Sequence, residues 1–143
     1  MNLSEGALDE VAELRICLES GAAELIAARA DEADFAELRR IVSLMRSAPA
    51  GEIDRLDIDF HSYLLRIPGN RMIATLIPLL IEFFRLQRAL PLASAAARRR
   101  NADGHLRLVE ALERRDAAQF RESIARHIGP AKRPFSAKSK EEN

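Results

Sequence analysis

Cysteine occurs once in this chain, at Cys17, which excludes a disulfide within it and fits a reducing, cytoplasmic setting. An excess of either charge is missing too. Lys and Arg number 22 and Asp and Glu 22 among 143 residues, so the formal net charge is zero. A nucleic-acid reader ordinarily carries a basic footprint, so no direct DNA binding by the chain alone is expected. Long apolar runs are also absent. The most apolar stretch, 72–86, contains Pro78 and Glu82 and falls short of the roughly 18 uncharged residues of a membrane span. It reads as a core helix, with no membrane role. Glu5, Asp9 and Glu10 stand where a signal peptide would be basic and then apolar. Strand-like alternation, an Asn-Gly hairpin, internal repeats, a Gly-rich phosphate loop, a serine elbow and a cysteine pair are all lacking, which removes the chemistries that depend on them.

What is there is helical periodicity in a length suited to one domain. Leu8, Val11, Leu14, Leu18, Ala22, Leu25 and Ile26 recur at helical spacing over 7–29, with Ser4 as a candidate cap. A second helix is expected from Asp31 or Asp34 to Ser47, stopped by Pro49. A third spans 51–67 and ends at Pro68-Gly69. A fourth follows Asn70 as far as Leu90, with a kink at Pro78 and a break at Pro91. The last two cover 102–115 and 117–128. The expected fold is an all-α antiparallel bundle of six helices, or seven, over residues 1–129, with 130–143 a flexible C-terminal tail.

At 100° per residue the third helix can be laid out face by face. Ile53, Leu56, Phe60, Tyr63, Leu64 and Ile67 form one apolar strip, and Ile58 and Leu65 a second. Arg55, Asp59, Ser62 and Arg66 make the wet face. Asp57 and His61, four residues apart, fall between the two apolar strips. The only other histidines behave alike: His105 is centred among Leu108, Val109 and Leu112, and His127 lies beside Phe120 and Ile124. A single histidine on an apolar face is usually a hydrogen-bonded core residue. Here all three do it together with an aspartate. Left unpaired, each would cost about 1–3 kcal/mol, whereas one divalent cation satisfies all four at once, with Asp57 supplying negative charge.

Three imidazoles and a carboxylate suit zinc, nickel, manganese or iron, and the donor set does not choose among them. Other metal constellations fail on spacing: the residues three before the histidines are Ile58, Ala102 and Ile124, no two histidines are four apart, and no His-Asp dipeptide occurs. Arg15 is a further anomaly, because it falls within the apolar stripe of the first helix. Either it snorkels or pairs with Glu19, or its guanidinium faces a cavity and takes a carboxylate bidentately. Asn70 reads as a helix N-cap, and Arg98–Arg100 as a solvated helix end.

Taken together, these residues resemble the effector-binding C-terminal domain of FadR-type GntR transcription regulators, the FCD domain. "ELRICLESGAAELIAARA" is similar to the family's Glu-x-Arg-x-x-Leu-Glu opening. "DIDFHSYLL" matches its Asp-x-x-Phe-His helix, followed by Gly69-Asn70. "HLRLVEALERRDAAQFRESIARHI" resembles its closing helix pair. The resemblance implies a metal held by Asp57, His61, His105 and His127, a small carboxylate effector facing Arg15, and Asn70 near that pocket. Gly104 departs from the acidic residue common before that histidine, and Pro78 and Pro91 interrupt a helix that is usually continuous. The winged helix-turn-helix that family members carry upstream is absent from this chain, which is then a fragment of a regulator or a stand-alone sensor.

The function so implied is ligand sensing and dimerisation, not catalysis: an effector inside the bundle shifts the arrangement of a homodimer and so the spacing of an attached DNA reader. The cofactor would be a divalent ion, zinc, nickel or manganese. Two alternatives stand beside it. One is a metal-dependent enzyme on a helical bundle, the metal activating water; Glu19, and less clearly Asp54, are the only unassigned carboxylates that face the core. The other is a metal-free helical interaction domain.

Overall fold

The computed structural model describes residues 5–87 and 94–129. Ser4 as a cap, the break at Pro91 and the C-terminal tail lie outside the described residues. Within them the chain forms seven helices: α1 (Glu5–Gly21), α2 (Ala23–Arg29), α3 (Glu32–Ser47), α4 (Ala50–Arg66), α5 (Arg71–Gln87), α6 (Ala95–Glu113) and α7 (Ala117–Ile128). The all-α bundle is as expected. The helix expected over 7–29 is divided at Ala22, directly after Gly21, the residue that weakens a helix most after proline.

Local chemistry fixes most boundaries. Asp31 and Asp34 form a reciprocal capping box at the start of α3, and Asp116 caps α7 through the Gln119 amide. Ser94 caps α6, which begins at Ala95, seven residues earlier than the apolar periodicity suggests. Ala95–Ala97 and Arg98–Arg100 are strong helix formers with no apolar stripe, so propensity extends α6 where periodicity is silent. Gly69, at φ 64°, makes the left-handed turn before α5. Helix α5 continues through Pro78, which is exposed.

Six of the helices close a ring. Helix α1 packs on α5, α5 on α4, α4 on α3, α3 on α6, α6 on α7, and α7 back on α1, while α2 packs chiefly against α7. Short links at 48–49, 67–70 and 114–116 turn consecutive neighbours back on each other. The ring is filled by Phe60, Phe84, Phe120, Leu38, Met45, Leu64, Leu108, Leu112 and Ile124, all fully buried. Two details differ from the sequence layout. Leu14 is exposed, and Ser62 is buried at 2%, because α4 sits against both α3 and α5 and covers a wider arc than one amphipathic face. A ring of this kind has an interior that is reached from several helices at once, and polar groups placed there must satisfy one another.

Candidate metal centre

Four helices send titratable side chains into that interior: α1 supplies Arg15 and Glu19, α4 Asp57 and His61, α6 His105, and α7 His127. Asp57 and His61 stand one turn apart on α4, and both are buried. His105 is fully buried against Phe60, whose ring meets it edge-on at 4.7 Å between centroids. The His127 side chain retains 12% exposure. One ligand atom from each of Asp57, His61, His105 and His127 lies within 4.8 Å of all the others. All four residues singled out in the sequence are therefore brought together.

Asp57 Oδ1 is the hub. It lies 2.7 Å from His105 Nε2, 3.5 Å from His61 Nε2 and 3.9 Å from His127 Nε2. Burial alone would raise the Asp57 carboxyl, but charge on His61 and the hydrogen bond from His105 hold it well below the usual carboxylate range. Burial lowers His105 and drives His127 down to about 3, with the neighbouring His105 adding to the fall. His61 goes the other way: burial opposes it, yet the carboxylates of Glu19 and Asp57 raise it.

Two features of this arrangement are unsatisfied without a cation. His61 Nε2 is buried and has no hydrogen-bond partner. His105 has one acceptor too many: Nδ1 faces the Asn101 carbonyl at 2.7 Å and Nε2 faces Asp57 at 2.7 Å. A neutral imidazole has one N–H and can donate to only one of them, and burial favours the neutral form. A metal at Nε2 removes both conflicts. Nδ1–H of His105 then donates to Asn101, and the Nε2 lone pairs have a common target. Donors about 2.1 Å from one ion stand roughly 3–4 Å apart, which the separations of His61 and His127 from Asp57 match, while that of His105, at 2.7 Å, is a hydrogen-bond length. The residues fit a divalent metal.

Arg15 is buried at 5% exposure, as its place on the apolar stripe predicted. Its Nε is 3.4 Å from Glu19 Oε2, and its guanidinium stacks 4.1 Å over the Phe84 ring. Glu19 Oε1 accepts a hydrogen bond from His61 Nδ1–H, so Arg15 is joined to the cluster through one carboxylate. Sequence reasoning noted Glu19 as core-facing but gave it no role toward His61, since nothing in helical periodicity links positions on α1 and α4. Asn70 is exposed, and its Oδ1 accepts from the Met72 and Ile73 amides. The structure gives it the capping role and does not bring it to the cluster. An apolar cleft of about 210 Å³ among α1, α2, α4 and α5, lined by Cys17, Leu25, Leu65 and Leu76 among others, contains none of the clustered residues and no cation to hold an acid.

Among known proteins, a family model described as the FCD domain matches residues 10–129. Streptococcus agalactiae GntR shares the fold with a TM-score of 0.71 at 21% identity, over 88% of this chain and 59% of that one. E. coli McbR/YncC does so with a TM-score of 0.73 at 20% identity, over 87% of this chain and 65% of that one. This chain thus spans less than two thirds of the length of either, and identities this low carry the fold alone. A comparison with curated protein sequences gives no match. No helix among the described residues is long and apolar enough to cross a membrane.

Proposed function

Because this chain belongs to the FCD domain family, we propose that it is the ligand-sensing and dimerisation module of a GntR-type transcription regulator, holding one divalent metal and a small carboxylate effector. The observation that carries the metal is His105, a buried neutral imidazole facing two acceptors. Asp57, His61, His105 and His127 would hold the ion, and the donor set suits zinc, nickel or manganese. Bound there, it supplies a positive centre for an oxygen ligand.

Charge balance supports the carboxylate. Arg15 and Glu19 cancel formally, and Asp57 cancels half of a divalent charge, leaving one positive charge in a buried space. A monoanion neutralises it, with a carboxylate fork on Arg15. Nothing in the cluster calls on Asn70, whose Oδ1 accepts from the Met72 and Ile73 amides at the start of α5. Dimerisation draws support from α5, which exposes Met72 (74%), Leu76 (44%) and Leu79 (53%) at positions i, i+4 and i+7 of one helical face. The DNA operator would be read by a domain attached to this one.

Elemental analysis of purified protein, followed by calorimetry with mono-, di- and tricarboxylic acids, tests the reading. The expected result is about one divalent metal per chain and binding of one acid class without turnover. Protein that takes up no metal and binds no acid would overturn it, and turnover of a bound acid would make it an enzyme.

A further inference from the structure

Glu19 is the buried charge in the ring that no ligand role explains. It is 1% exposed, and a carboxylate is costly in such a place unless it is paired. One of its oxygens accepts the Nδ1–H of His61, and the other lies 3.4 Å from Arg15 Nε with no hydrogen bond of its own. The consequence falls on the opposite edge of the imidazole. A neutral histidine has two tautomers, and a carboxylate at Nδ1 keeps the proton there. The lone pair is then on Nε2, the atom that lies 3.5 Å from Asp57 Oδ1 and lacks a hydrogen bond. His105 is held in the same sense by the Asn101 carbonyl.

We infer that Glu19 is a positioning residue of the metal centre: its carboxylate fixes His61 as the Nδ1–H tautomer and makes Nε2 a stronger donor toward a divalent cation. Arg15, stacked on Phe84 and set against the second oxygen, fixes the plane of that carboxylate. This rests on the metal-binding reading above. Glu19 touches no metal itself; it acts through His61.

The experiment is zinc affinity by competition with a chromophoric chelator, for the full chain and for Glu19→Gln and Glu19→Ala, beside melting curves of the metal-free proteins. Glutamine keeps the shape and an acceptor oxygen but drops the charge, so about a tenfold loss is expected; alanine drops both, and the expected loss is about a hundredfold. A merely structural role would lower the metal-free melting temperature and leave the zinc affinity of the folded variants at the wild-type value, which would overturn the inference. Wild type that binds no zinc would overturn the metal reading and this inference with it. A second measurement needs no variant: long-range ¹H–¹⁵N spectra of zinc-loaded wild type should show His61 protonated at Nδ1 and coordinated at Nε2. Coordination through Nδ1 would refute the assignment even if both variants failed to fold.

Discussion

His105 Nε2 and Asp57 Oδ1 meet at 2.7 Å across the interior of the helix ring, joining residues 48 positions apart on α6 and α4. The contact ties the two helices that flank α3 to each other across the interior through a single polar pair, and a cation between these atoms would tie in α7 as well. Zinc should therefore stabilise the whole fold by mass action, by about 4 kcal/mol when free zinc is a thousandfold above its dissociation constant. Scanning calorimetry should show a rise in melting temperature for wild type and little or none for His105→Ala. An equal rise in both would remove His105 from the site.

Acid should act on the metal-free protein in a definite window. His105 and His127 are lowered in the fold, His127 to about 3. The unfolded chain therefore takes up protons at these two positions from about pH 6.5 downward while the fold does not, and stability falls. His61 is raised, so its contribution is fully present below about pH 6.5 and is lost as pH rises through its folded value. Asp57 is lowered, so its contribution holds above the ordinary carboxylate value and is lost only well below it. Two lowered imidazoles outweigh one raised, and urea melts should show falling stability from pH 6.5 to 4. The zinc-loaded protein should fall more steeply, because His61 too must stay neutral. Stability that is flat over this window would contradict these shifts.

The sequence made the bundle and the four clustered residues legible because both depend on periodicity within single helices. Asp57 and His61 share a face of α4, and the stripes around His105 and His127 point each ring inward. Relations between helices were not legible in that way. That Glu19 reaches His61, that Ser62 is covered, and that Asn70 stays exposed at the α5 cap depend on how α1, α4 and α5 are set around the ring. The early start of α6 was missed for another reason: alanines and arginines at 95–100 form a helix by propensity and bury little.

Gly104 gives a case in which stability and metal affinity should separate. A Cβ there would stand 3.2 Å from His127 Nδ1, so the imidazole would have to give way by a few tenths of an ångström. The residue lies inside α6, where alanine is favoured over glycine by roughly 0.5–1 kcal/mol. For Gly104→Ala we expect a metal-free protein at least as stable as wild type and a zinc affinity several-fold weaker. Chelator competition and thermal melting read the two effects. Unchanged affinity would mean that His127 moves without cost, or that it is not a ligand.

Arg115 is the one described non-glycine residue in the left-handed region, at φ 56°. Its guanidinium donates to the Ala27 and Ala30 carbonyls at the end of α2 and stacks over Phe35. These contacts offset the backbone strain and pin the α6–α7 turn beneath α2. Arg115→Ala removes the contacts and keeps the strain, so denaturant melts should show a loss of about 2 kcal/mol. Arg115→Gly removes the contacts but relieves about 1 kcal/mol of strain, and should fall between alanine and wild type. If glycine were the worse of the two, strain at this turn would not be a factor.

On the proposed reading, Arg15 would take the carboxylate of the effector. Its guanidinium is 95% shielded, stacks 4.1 Å over the Phe84 ring, and its Nε stands 3.4 Å from Glu19 Oε2. A carboxylate entering the ring would meet a planar fork already stacked on Phe84 and held by packing, so little ordering would remain to oppose binding. Hydrogen bonds to charged groups contribute about 1.5–3 kcal/mol, which corresponds to roughly tenfold to hundredfold in affinity. Arg15→Ala should weaken the tightest-binding acid by that factor while metal content stays at one per chain. Arg15→Lys should recover only part, because an ammonium cannot reproduce the fork. A role confined to pairing Glu19 predicts something different: Arg15→Ala would lower the melting temperature and the zinc affinity, and at saturating zinc the acid would bind as tightly as before. Titration of the zinc-loaded wild type and both variants with the same acid separates the two, since only an effector contact moves the dissociation constant.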